Sequence, residues 1–293
     1  MGIVSAEKFV KAARDGGYAI GGFNTNNLEW TQAILRAAEA KKTPVLIQTS
    51  MGAAKYMGGY KLCKLMIEEL VESMGITVPV AIHLDHGDYD AAKKCIEVGY
   101  SSIMFDGSML PIEENLAKAK ELIPAAHAAG MSIECEVGSI GGSEDGIYGD
   151  GELAPVEDAK AMWALGPDFL AAGIGNIHGP YPANWSGLHL DHLQKLTDAL
   201  PGAPLVLHGG SGIPDDQIKA AIKLGVAKVN VNTECQLAFC AELRNHVHEF
   251  DANEAEYMKE KLFDPRKLLK SAVDAIQASV EERIDCFGSA NKA

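Results

Sequence analysis

Nowhere does this sequence run through the roughly 20 uninterrupted apolar residues that a bilayer-spanning helix needs, so a membrane-embedded protein is not expected. Its opening, MGIVSAEKFVKAARDGG, scatters charges where a secretory leader would carry an apolar stretch. Met-Gly is followed by Ala6 where a myristoylation motif wants Ser or Thr. A cytoplasmic protein is the expectation. Positive charge is also scarce: 26 Lys and Arg stand against 40 Asp and Glu, a formal net charge of −14. A nucleic-acid binder would need a basic stripe, so an anionic ligand here must be held by backbone N–H groups, a metal, or one or two placed cations. The six cysteines form no CxxC pair, and Cys95 and Cys135 sit in apolar patterns, which points to reduced, mostly buried thiols.

What is present is a full globular composition, 47% hydrophobic and 23% charged. β-rich runs alternate with helical patterns along the chain: 18–25, 44–50, 79–87, 101–108, 132–138, 169–176, 204–211 and 227–233, with helical periodicity over 28–40 and 111–130. Strand–helix alternation implies parallel strands, and eight units in about 250 residues is the size of an α/β (β/α)8 TIM barrel. The reading is one domain over 1–293, with 251–293 as a C-terminal helical extension suited to oligomer contacts. An open doubly wound sheet is the runner-up, but it would use only one or two crevices, whereas here nearly every strand ends in polar residues. Two insertions interrupt the spacing, a Gly- and acid-rich stretch at 139–155, expected as a mobile loop, and residues 177–189.

The chemistry concentrates where apolar runs end. In AIHLDHG, alternation puts His83 and Asp85 on one face and His86 on the other, unless the strand turns out at Gly87. His178 in GNIHGPY and His208 in LVLHGGSG end two further runs. A lone histidine after an apolar run is ordinarily structural. Three neutral imidazoles converging with an open fourth position would instead make a catalytic zinc site. His127, His189, His192, His246 and His248 fall on helical or surface patterns and are read as structural. Asp106 and Glu136 end the fourth and fifth runs and could hold a second cation or steady the first. Glu144, in GGSED, lies where a closing loop could deliver a general base, although a solvated loop acid is the plainer reading. HGGSG (208–212) precedes a helical pattern, and the amides of Gly210 and Ser211 can approach an oxygen closely. Asn230, Asn232 and Thr233 add donors at the last run, beside it, where barrels often bind phosphate.

Together these motifs resemble the class II, metal-dependent ketose-bisphosphate aldolases, of which the fructose-1,6-bisphosphate enzymes are the best known. The resemblance runs from GGFNTNNLEW to CFGSANKA and is most specific in VPVAIHLDHG and IECEVGSIGGSEDG. It implies that His86, His178 and His208 bind catalytic Zn2+, that Asp85 is the acid/base at the ketose C4 hydroxyl, and that Glu144 handles the triose proton. Asp106 and Glu136 match a second or alternate metal position, for a divalent or monovalent cation. Gly179, Gly209, Ser211, Asn230 and Thr233 would hold the dihydroxyacetone phosphate end, with Gly210 and Asn232 as further substrate-binding candidates, the latter at a position that is Asp or Ala in other branches. Asn24 and Ser50 match substrate-contacting positions, and Arg266 matches an arginine associated with the distal phosphate. The implied partners are a ketose bisphosphate and triose phosphates, with a homodimer, or a tetramer, as the assembly. Ser143, Met109 and Pro182 depart from common relatives, which weakens any inference about the preferred sugar, and tagatose 1,6-bisphosphate is the rival substrate. Lys228 as a Schiff-base nucleophile would leave the three histidines unexplained. A metal-dependent hydrolase would often open with HxH rather than HxDH. A non-enzymatic adhesin or sensor would tolerate loss of the ligand candidates, all of which are intact.

Overall fold

A computed structural model of the chain describes residues 2–144, 147–149 and 151–293, without the side chains of residues 143, 144 and 147–149. Its strands are β1 (Ile20–Asn24), β2 (Val45–Ser50), β3 (Val80–Gly87), β4 (Ser102–Phe105), β5 (Ser132–Val137), β6 (Gly141–Glu144), β7 (Ile147–Gly149), β8 (Phe169–Ala172), β9 (Ile177–His178), β10 (Leu205–Leu207) and β11 (Val226–Val231). Eight of them close into a barrel in the order β1-β11-β10-β8-β5-β4-β3-β2, every pairing parallel. The expected (β/α)8 barrel is therefore present. The open sheet is not.

Strand alternation gives the barrel wall two faces. Ile47, Ile82, Leu84, Ile103, Phe105, Ile133, Cys135, Leu170, Leu207 and Val229 look outward into one apolar core shared with the surrounding helices. Their inward neighbours are apolar only low in the barrel, where Ile20, Leu46, Ala81, Met104, Phe169 and Val206 pack on Phe9, Val10 and Ala13. Those last three lie on helix Glu7–Gly16, which precedes β1 and plugs the floor. Higher up, the inward positions are polar.

The helices follow local signals. Asn27 caps Leu28–Lys41 by accepting from the Trp30 N–H at 2.9 Å. Ser50 does the same for Met51–Met57 through the Ala53 N–H. The eighth barrel helix is Thr233–Ala252, and the extension beyond it forms helices Glu254–Glu260, Pro265–Leu268 and Lys270–Phe287. Buried Val273, Ile276, Val280 and Ile284 lay the last helix onto the barrel, and the Phe287 carbonyl accepts from the Ala19 N–H at 3.0 Å. Among the described residues, no helix is long and apolar enough to cross a membrane. The insertion after β5 differs from the expected loop: β6 pairs antiparallel with β7 and parallel with β9. Through the β6–β9 pairing this pair of strands anchors the segment that carries His178.

Candidate metal centre at the barrel mouth

At the end of β3 the strict alternation of AIHLDHG breaks down. Leu84 aligns with Ile103 but Gly87 with Phe105, so β3 holds one residue more than β4 over this interval, a bulge. His86 takes up the slack with φ +47°, a left-handed conformation unusual for a residue with a side chain. Asp85 and His86 can thus both address the barrel mouth, which flat alternation forbids. Backbone strain of this kind recurs at functional sites.

Three rings gather there. His86 lies 4.7 Å from His178 and 4.5 Å from His208, centroid to centroid, and His178 lies 5.8 Å from His208. The Nε2 atoms of His86 and His178 are 3.1 Å apart. His86 Nδ1 meets Asp106 Oδ2 at 2.8 Å and lies 3.9 Å from Glu136 Oε2. Asp106 Oδ1 in turn accepts from the Ser108 amide and hydroxyl at 3.0 and 2.7 Å. Two overlapping groups, His86–His178–His208 and His86–Asp106–Glu136, bring donor atoms within 4.8 Å of one another, as a metal ion requires. The residues fit a cation in two further respects. Glu136 Oε2 is buried with no hydrogen-bond partner. Burial, followed by the charge of His86, pushes the His178 imidazole down to about 3, so its nitrogens remain available as neutral donors. Burial, then Asp106, pushes the Glu136 carboxyl well above its ordinary range. Burial opposes charge on His86, but Asp85, Asp106 and Glu136 overcome it and hold that imidazole well above its usual value. The crowd of carboxylates calls for positive charge at this point.

Asp85 is 1% exposed. Its Oδ2 accepts from Asn24 Nδ2 at 2.7 Å and its Oδ1 from Asn230 Nδ2 at 3.2 Å, while Gln48 Nε2 steadies Asn24 through Oδ1 at 3.1 Å. Burial raises its carboxyl, yet the fields of His86, His208 and Lys228 and the Asn24 bond outweigh that and lower it, so it stands ionised. Gly22 makes the space: a Cβ there would meet Gln48 Oε1 at 2.1 Å and Asn230 Oδ1 at 2.9 Å.

One layer below lies a buried polar chain that the motifs did not reveal as a unit. Lys228 Nζ donates to Glu134 Oε2 at 2.7 Å and to His83 Nε2 at 3.3 Å. Glu134 Oε1 meets His208 Nε2 at 2.8 Å, and His83 Nδ1 meets Ser102 Oγ at 2.8 Å. His83 is thus a supporting residue in this lower layer. Lys228 is fully buried and engaged on both sides, which leaves no path for it to attack a ligand as a Schiff-base nucleophile. Gln48 and Glu134 went unread as site residues and Lys228 was weighed only as a Schiff-base nucleophile, although alternation places each of them on the inward face shared with Ser50, Glu136 and Asn230.

On the opposite side of the mouth are the residues read as a phosphate cradle. Gly209 has φ +63°, and a Cβ would stand 2.0 Å from the Ile177 carbonyl, so only glycine fits. Gly179 is also left-handed. The Gly210 N–H is already donated to Asn230 O at 2.9 Å, which leaves the Ser211 amide of the two read from the sequence. Ser211 Oγ accepts from the Glu234 N–H at 3.1 Å, joining this turn to Asn232 and Thr233 at the start of the eighth helix, whose N-terminus favours an anion. Ser50 lies at the end of β2, paired in register with Asp85. Arg266 is not brought in: it is exposed, and its guanidinium closes on Asp264 Oδ1 at 3.0 Å. The Glu144 backbone belongs to β6, and its side chain lies outside the described residues.

Comparison with known proteins converges on one family. A family model described as fructose-bisphosphate aldolase class-II matches residues 4–292. The fructose-bisphosphate aldolase of Streptococcus pneumoniae serotype 4 is 76% identical over 293 residues, all of both chains. That of Streptococcus pyogenes serotype M1 is 74% identical over the same span. Among solved structures, the YdjI aldolase from Escherichia coli K12 superposes with a TM-score of 0.82 at 30% identity, covering 99% of each chain.

Proposed function

The chain belongs to the class-II fructose-bisphosphate aldolase family, and we infer that it cleaves fructose 1,6-bisphosphate reversibly to dihydroxyacetone phosphate and glyceraldehyde 3-phosphate. The family is metal-dependent, and our assignment of this ion is zinc, with His86, His178 and His208 as ligands. When bound, zinc supplies a Lewis acid that polarises the ketose carbonyl and takes up charge as the C3–C4 bond breaks.

Asp85 accepts the C4 hydroxyl proton during cleavage and returns it in condensation. Asn24 and Asn230 support this role because each fixes one of its oxygens. Asp106 and Glu136 would hold a second divalent or a monovalent cation, a reading supported by the unpartnered Glu136 Oε2. Glu144 would move the triose proton, and its strand β6 pairs with the strand that carries His178. Gly179, Gly209, Ser211, Asn230, Asn232 and Thr233 would hold the dihydroxyacetone phosphate end. Gly210 contributes close approach rather than a donor, since a Cβ would meet Asn230 O at 2.7 Å. Asn24 and Ser50 would touch the sugar, and Arg266 would need a partner subunit or a moved arm to reach the distal phosphate.

The observation that carries the function is the meeting of three imidazoles beside an aspartate whose two oxygens are separately fixed. Cleavage of fructose 1,6-bisphosphate and, in parallel, tagatose 1,6-bisphosphate tests it, with and without EDTA and zinc add-back. Chelator-sensitive cleavage restored by zinc is expected, with kcat/KM higher for the fructose sugar. Chelator-resistant cleavage would overturn the zinc assignment, and a higher value for tagatose bisphosphate would reassign the substrate. We read residues 1–293 as one cytoplasmic domain assembled as a homodimer. Exposed Leu237, Val247, Met258 and Phe263 support self-association, and sedimentation would distinguish a dimer from a tetramer.

A further inference from the structure

The proton transfers above make no use of the ion pair at the centre of the barrel. Lys228 and Glu134 are both 0% exposed, and removing such a pair from water costs as much as its attraction returns, so that apolar replacements are often neutral or stabilising. Stability alone does not account for it. Its connections do. Glu134 bridges with both oxygens, Oε2 to Lys228 Nζ at 2.7 Å and Oε1 to His208 Nε2 at 2.8 Å.

A carboxylate bonded to Lys228 can only accept from the ring, which puts the proton of His208 on Nε2 and a lone pair on Nδ1. Asn230 Nδ2, whose role as donor is fixed by its bond to Asp85 Oδ1, stands 3.0 Å from His208 Nδ1 and 3.3 Å from Nε2, nearer the nitrogen that the Glu134 bond leaves unprotonated. The ammonium is tied in turn to the barrel floor. It reaches His83 Nε2 at 3.3 Å, His83 Nδ1 reaches Ser102 Oγ at 2.8 Å, the Ser132 hydroxyl donates to Ser102 Oγ at 2.9 Å, and Ser132 Oγ accepts from the Ala6 N–H at 3.1 Å.

We propose that Lys228 and Glu134 are positioning residues for the metal: Glu134 fixes the tautomer and ring orientation of His208, and Lys228 holds Glu134 in the geometry that does so. This rests on the reading of His208 as a ligand. It assigns to Lys228 a role in metal affinity and none in bond making. Carboxylate–histidine–metal arrangements tune affinity by about 10- to 100-fold, and here the carboxylate is itself held by a buried cation.

The test compares wild type, Lys228→Met and the double variant Lys228→Met/Glu134→Gln. The double variant removes both charges at nearly constant volume and so keeps the test open if the single variant, with its unpaired carboxylate, fails to fold. Zinc affinity would be measured on metal-free protein by competition with a chelating dye, alongside metal-free thermal unfolding and the visible spectrum of the cobalt(II) form. The expected result is zinc binding weakened about 10- to 100-fold with a shifted cobalt spectrum, while the double variant unfolds near the wild-type temperature and its KM at saturating zinc is unchanged. A folded double variant that binds zinc within about twofold of wild type, with the same cobalt spectrum, would overturn the inference and leave the ligand assignment standing. Wild type and His208→Ala binding zinc equally would overturn the ligand assignment, and the inference with it.

Discussion

The two faces of the barrel wall are made by the same strands from alternate residues, yet they solve different problems. Outward, Ile82, Leu84, Ile103, Ile133 and Val229 enter a continuous apolar core with no polar partner to satisfy. Inward and above the floor, His83, Asp85, Glu134, Lys228 and Asn230 are also buried, but each is placed by hydrogen bonds. Burial alone therefore says nothing about a residue's task in this molecule. Stability resides on one side of a backbone only a residue thick, and reactivity on the other.

The strongest way to break this division is Asp85→Asn. It keeps shape while removing the proton acceptor, so kcat should fall by about 10²- to 10⁴-fold, with thermal unfolding nearly unchanged. A large loss of unfolding temperature would show that the inner face also carries the fold. The reciprocal variant is Ile103→Ala, on the outer face and fully buried. Cavity formation should cost about 2–5 kcal/mol by denaturant titration, with kcat/KM at 25 °C within about twofold of wild type because the inward neighbours are left alone. A third, smaller effect is expected from Glu136→Gln. Loss of one carboxylate from the His86–Asp106–Glu136 group should weaken activation by a second or monovalent cation. Zinc bound through the three histidines should remain, as metal analysis would show.

How much of this was legible in the sequence depends on the face. The outer face was readable because apolar strand residues recur on alternate positions, and the (β/α)8 order followed from their spacing. The mouth was readable wherever chemistry-bearing residues ended a strand, as at Asp85, His86, Asp106, Glu136 and His208. Glu134, Lys228 and Gln48 were harder, because a polar residue in the middle of an apolar run acquires its meaning only from partners on other strands. Glu134 and His208 are 74 residues apart. His86 was readable as a candidate ligand, but the bulge that turns it toward the mouth beside Asp85 was not, since one extra residue changes which way a side chain points. The helix at Glu7–Gly16 that closes the floor went unanticipated, since its apolar stripe is short and most of the residues it packs on, such as Leu46, Ala81, Phe169 and Val206, lie far along the chain.

The last expected effect sharpens the comparison by using a carboxylate outside the barrel. Glu39, on helix Leu28–Lys41, accepts from the Thr77 N–H at 2.7 Å, the Thr77 hydroxyl at 2.8 Å and the Val78 N–H at 3.3 Å, binding that helix to the approach to β3. Burial raises its carboxyl, but the Lys42 bond and these donors prevail and bring it down to about 2 from 4.5. The sign is opposite to that of Glu134 and Glu136, where burial prevails and raises both. For a carboxyl lowered on folding, the unfolded chain binds the proton first, so the stabilisation is fully present above about pH 4.5 and disappears as pH falls toward about 2. Glu39→Gln should therefore reduce stability at pH 7 by on the order of 1 kcal/mol and reduce the dependence of unfolding free energy on pH within that window. Measuring metal-free wild type and variant side by side cancels the contribution of the inner carboxylates, which is common to both. Equal pH slopes in the two proteins would mean that the outer carboxylate is not held charged by the fold, and the contrast between the two faces would then be one of packing alone.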